Sequence, residues 1–141
     1  MSAVQTRAQR DLGLALELVL AVEQAHPDPS PQSTKGRYQA LCQNFPVMVR
    51  TMGLAQALAF AEAKKGEEKG LPQAYGLLLE HVARVLELPP GQLLNTVKTD
   101  HAGQYMHRTR RVLEAWVFFK RMAESQLEVQ KEGKDAQPPT P

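Results

Sequence analysis

Apolar residues in this chain recur at helical spacing, and nowhere at the two-residue alternation of a half-buried strand. Leu12, Ala15, Leu16 and Val19 form one stripe at i, i+3, i+4 and i+7, and Leu14, Leu18 and Ala21 form a second. Tyr38, Leu41, Cys42 and Phe45 make a similar stripe, as do Tyr75, Leu78, Leu79, Val82 and Leu86. No run combines period-2 alternation with β-branched enrichment, and no repeat of fixed period is present. The pattern predicts an all-α fold of five to six helices with no sheet. Uneven helix lengths predict an irregular bundle.

Proline and glycine set the expected boundaries. The first helix should run from about Gln5 to Ala25, and His26-Pro-Asp-Pro-Ser-Pro-Gln cannot continue it, because proline lacks a donor and extends its predecessor. Ser33 or Thr34 can cap a second helix. Pro46 is expected to interrupt the chain and restart it as a third helix to about Lys65, since proline suits a first turn. A fourth helix should follow from about Pro72 to Glu87, then a short one holding Leu93, Leu94 and Val97. Asp100 is the expected N-cap of a last helix reaching about Gln130. Residues 1–130 read as a single helical domain. Residues 131–141 read as a disordered tail, since Gly133 to Pro141 has no apolar periodicity.

Of the 141 residues, 43% are apolar and 23% charged, the balance of a soluble domain. A chain of this length buries roughly 68–70% of its unfolded surface and needs no metal or disulfide to hold a core. Cys42 is the single cysteine, so no internal disulfide can form, and a cytoplasmic setting is expected. Leu12 to Val22 is too short for the roughly 20 apolar residues of a spanning helix, and it contains Glu17. Asp11 and Glu17, with no small-x-small cleavage site after them, also exclude a signal peptide.

Catalytic patterns are missing. His26, His81, His101 and His107 have no ligand partner at i+3 or i+4, and neither HExxH, CxxC nor a phosphate loop occurs. Cys42 sits at helical spacing from Tyr38 and Phe45, the position of a buried small hydrophobe rather than a nucleophile. No enzyme activity, cofactor or metal is expected.

Positive charge, by contrast, is concentrated. Lys35, Arg37, Arg50, Lys64 and Lys65 face only Glu62 between positions 35 and 65. Arg108, Arg110, Arg111, Lys120 and Arg121 face only Glu114 between 101 and 121. Such patches suit a phosphate backbone, although charge runs are often simply solvated faces. On a regular last helix, Tyr105, Val112, Trp116, Phe119 and Ala123 form the core stripe, with Arg110, Glu114 and Arg121 roughly opposite. Phe118 lies near the basic side, either covered by another helix or exposed for a partner. If Pro46 to Lys65 is one helix, Arg50, Gly53, Ala57 and Lys64 share a face. A helical glycine costs about 1 kcal/mol relative to alanine. Gly53 therefore implies a close approach, by a helix or a nucleic-acid strand, or a break between two helices. The tyrosines sit at core positions rather than as base-stacking platforms.

Tyr38-Gln-Ala-Leu41, Pro46-Val-Met-Val-Arg50, Gly53-Leu54 through Phe60, and Lys64 resemble the small helical subunit of the type III-B (Cmr-type) CRISPR effector complex. Tyr105 followed by Phe118-Phe119-Lys120-Arg121-Met122-Ala123-Glu124 is similar to that family's closing helix. The likeness spans Tyr38 to Glu124. It departs at Met52, where the family often has asparagine, and at Phe118, where it often has tryptophan. The resemblance implies a non-catalytic all-α subunit, stacked head to tail with copies of itself beside a repeated backbone subunit and a large polymerase-like subunit. It implies a channel for CRISPR RNA and target RNA.

The expected phosphate contacts are Arg50 and Lys64 on one element, and Arg108, Arg110, Arg111, Lys120 and Arg121 on another. They would hold backbone oxygens without reading bases. The rival expectation is a protein-only helical adaptor. A helix-turn-helix reader would need base-reading side chains on a recognition helix, for which Gln92 to Lys98 is poorly suited.

Overall fold

A computed structural model describes residues 4–66, 71–89 and 91–131. Six helices make up the described residues: α1 (Arg7–Ala25), α2 (Thr34–Met52), α3 (Leu54–Lys64), α4 (Leu71–Leu86), α5 (Leu93–Thr99) and α6 (Ala102–Gln126). No strand occurs among the described residues. Apart from Lys131, the tail expected at 131–141 lies outside them, as do residues 67–70 of the run Lys64 to Gly70, whose composition reads as a solvated turn.

Local signals start the helices. Thr6 Oγ1 accepts from the Gln9 N–H at 3.0 Å while Gln9 Oε1 accepts from the Thr6 N–H at 2.7 Å, a reciprocal cap for α1. Ser33 caps α2 by accepting from the Gly36 N–H. For α6 the cap is His101, whose Nδ1 accepts from the Gln104 N–H. Asp100, expected in that role, pairs instead with Arg108.

The expected interruption at Pro46 is corrected. Helix α2 runs straight through it and stops at Gly53. Proline inside a helix costs about 3 kcal/mol. Yet Tyr38, Leu41, Cys42, Phe45 and Val49 form one buried stripe on both sides of Pro46. Burying each large apolar side chain contributes about 1.5–3 kcal/mol, so the stripe outweighs the proline. Gly53 makes the true break: its φ of +90° suits glycine, and an added Cβ would lie 3.2 Å from the Tyr105 hydroxyl. That hydroxyl accepts from the Ala55 N–H at 2.9 Å and caps α3 from a distant element. Arg50 and Lys64 therefore end two separate helices rather than share one face.

Helix α6 is the spine, packing on α1, α2 and α4, while α5 closes against α3 and α4. Val112, Ala115, Trp116, Phe119 and Ala123 are buried along it. Trp116 stacks on Phe119 with centroids 4.4 Å apart and meets the edge of Phe45 at 5.1 Å. Phe118 is half-buried against this core.

Candidate nucleic-acid interface

Helices α2 and α6 run antiparallel, and polar side chains set their register. The Gln39 amide donates to the Ala123 and Leu127 carbonyls at 3.0 and 3.4 Å, and the Gln43 amide donates to the Lys120 carbonyl at 3.2 Å. Phe45 against Trp116, and the Ala55 N–H on Tyr105, continue the same register. It brings Arg50 beside Arg110, which is far off in sequence. The two line an open groove of about 570 Å³ with Tyr105, Met106, Thr109, Leu113, Glu114 and Val117.

The seven expected phosphate contacts divide by their surroundings. Arg50, Arg110, Lys120 and Arg121 are exposed, and no carboxylate among the described residues lies within ion-pair distance of them. Arg108 is half-buried, its Nε 2.7 Å from Asp100 Oδ2. Arg111 grips the buried Asp11 through both ends of its fork, at 3.2 and 3.0 Å, and also reaches Glu114 at 3.5 Å. The hydrogen bonds that Arg111 donates to Asp11 hold its guanidinium above its usual range. Lys64 is half-buried, with Nζ 5.5 Å from the Phe60 ring centroid.

Lys35 departs from the solvated patch expected between 35 and 65. Its side chain is buried, its ammonium held by both Glu23 carboxylate oxygens and by the Pro27 carbonyl. It fastens the proline-rich loop to α1 and does not add to the surface charge.

The groove's apolar residues escaped the sequence reading. Met106, Leu113 and Val117 recur with Arg110 at i, i+4, i+7 and i+11, a stripe visible beside the core stripe once both are drawn on one helix. Its meaning depends on α2 lying alongside.

The remaining polar groups do structural work. The Tyr38 hydroxyl and His81 Nδ1 share a hydrogen bond of 2.6 Å inside the core, and burial, with Arg84 nearby, pushes the His81 imidazole down to about 4. Cys42 is fully buried and its thiol is pushed up to about 12 by that burial. No cluster of three or more His, Cys, Asp or Glu among the described residues is placed to hold a metal ion. No described helix is long and apolar enough to cross a membrane.

Comparison with known proteins then decides the family. The profile of the CRISPR-associated protein Cas_Cmr5 matches residues 7–126. The chain belongs to the Cmr5 family, the small subunit of type III-B Cmr systems. Cmr subunit Cmr5 of Thermus thermophilus is 34% identical over 94 residues, which are 67% of this chain and 78% of that protein. The crystal structure of a CRISPR-associated Cmr5 family protein from the same organism superposes with a TM-score of 0.72. At 30% identity, that match covers 88% of this chain and 100% of the other. The Cmr5 match extends the likeness that begins at Tyr38 back through α1. Both the Asp11–Arg111 pair and the α2–α6 groove thus lie inside the region common to Cmr5 proteins.

Proposed function

We propose that this Cmr5 chain is a non-catalytic scaffold subunit of a cytoplasmic type III-B ribonucleoprotein in antiviral defence, its helical domain lying along the CRISPR RNA–target RNA channel. Its neighbours are the large polymerase-like subunit, the repeated backbone subunit and further copies of itself stacked head to tail. The observation that carries the RNA contact is the pair Lys120 and Arg121. They are adjacent, exposed, and beyond ion-pair distance of any carboxylate among the described residues. Trp116 and Phe119, packed just before them, anchor that stretch of α6 in the core. Arg108 and Arg111 support this surface through Asp100 and Asp11. Lys64 ends α3 as a further cation on the solvent side.

Two point charges neutralise phosphates without reading bases, so recognition is sequence-independent and pairing with the guide carries the sequence information. The test is single-stranded RNA binding against salt concentration. Log affinity should slope by about −0.7 per neutralised phosphate. Combining Lys120→Ala with Arg121→Ala should flatten the slope by about 1.4 while helicity stays unchanged. An unaltered slope would remove this end of α6 from the RNA surface.

A further inference from the structure

Beside its core stripe, α6 carries the second stripe of Met106, Arg110, Leu113 and Val117, about 120° around the helix. Met106 is 59% exposed and Val117 45% exposed. Single exposed apolar residues are common on soluble proteins. A row of them flooring a groove of about 570 Å³ is not a random scatter. From Met106 to Val117 the groove runs about 17 Å, or three helical turns.

Arg50 and Arg110 flank that floor beyond ion-pair distance of any carboxylate among the described residues, while Glu114, the acid at its edge, is shared by Arg7 and Arg111 at 3.5 Å each. An occupant must therefore bring apolar side chains and carboxylates together. RNA would answer the two arginines and leave Met106, Leu113 and Val117 in water. A stacking platform needs open aromatic faces. The groove offers only half-buried Tyr105, whose hydroxyl is engaged by the Ala55 N–H.

We infer that the α2–α6 groove receives an acidic amphipathic helix of about three turns from a sibling protein of the complex. Apolar anchors at i, i+3 or i+4, and i+7 settle between Met106 and Val117, and flanking carboxylates meet Arg50 and Arg110. The inference rests on the scaffold-subunit reading. It divides the cations between the groove, which faces protein, and Lys120 with Arg121, which face RNA.

The test uses the full chain assembled with its sibling Cmr proteins and CRISPR RNA. Val117→Cys is labelled with a benzophenone maleimide, the native Cys42 being fully buried, and photolysed in the complex. The crosslinked segment, mapped by mass spectrometry, should be helical, carry Asp or Glu, and show apolar residues at the stated spacing. Val117→Lys should lower incorporation into the complex at least tenfold, with helicity retained by circular dichroism. Val117→Leu, which keeps the apolar floor, should incorporate within twofold of the wild type. Crosslinks to RNA, to a second copy, to a segment without that pattern, or to nothing would overturn the inference, as would normal incorporation of Val117→Lys. A wild-type chain that fails to assemble would overturn the scaffold reading and this inference with it. Assembly with an empty groove overturns the inference alone.

Discussion

Arg111 of α6 and Asp11 of α1 are joined by two hydrogen bonds across a hundred residues of sequence, and the carboxylate they bury is only 5% exposed. The pair fixes how the first helix sits on the last. Breaking it from the cationic side leaves a buried carboxylate without a partner, a loss of about 3 kcal/mol. Arg111→Ala should therefore lower the urea midpoint markedly. Asp11→Leu combined with Arg111→Leu should recover most of the loss, because the desolvation of both charges disappears together. The salt slope of RNA binding by folded Arg111→Ala should match the wild type, since this guanidinium already faces Asp11.

Stability should depend on pH through His81. Its folded-state value of about 4 lies below the ordinary 6.5 of an unfolded histidine. The unfolded chain therefore takes up the proton first as pH falls. The neutral imidazole's contribution is complete above about pH 6.5 and is lost progressively down to about pH 4, amounting to about 3 kcal/mol. His81→Gln, which can still accept from the Tyr38 hydroxyl, should show a shallower decline in unfolding free energy over that window. An equally steep decline would place the titrating group elsewhere.

The two backbone anomalies of α2 should respond in opposite directions. Pro46→Ala restores an N–H for the Cys42 carbonyl within a continuous helix and should stabilise the protein by about 1–2 kcal/mol, read as a higher melting temperature. Gly53→Ala forces a side chain onto a positive φ and toward the Tyr105 hydroxyl, and should destabilise by about 2 kcal/mol. Tyr105→Phe, which removes only the cap on Ala55, should lose about 1 kcal/mol. A neutral Gly53→Ala would show that the α2–α3 joint can relax.

Much of this was readable in one dimension. The buried faces of α2, α4 and α6 follow from apolar spacing, because burial contributes more than any competing local preference. On α1 the expected stripe fails in part: Leu12 and Leu16 are exposed, and the buried residues are Asp11, Ala15, Leu18, Val19 and Val22, where α6 draws Asp11 to Arg111. Cys42 and Tyr38 read correctly as core for the same reason. At Pro46 the local rule yields to the packing of the stripe on either side of it, and at Asp100 the neighbouring His101 caps α6 instead. Lys35 read as surface charge, since nothing nearby in sequence announces that Glu23 and the Pro27 carbonyl will gather around its ammonium.

Periodicity and composition thus determined a helical protein, its core stripes and the clustering of its cations, all of which depend on residues a few positions apart. Tertiary structure decided which cations remain available. Arg111 and Arg108 are drawn to carboxylates, while Arg50 and Arg110 meet across an apolar groove that neither helix possesses alone. An ion pair or a groove is a property of two surfaces, and the α2–α6 register that joins them is set by contacts between residues as far apart as Gln39 and Ala123.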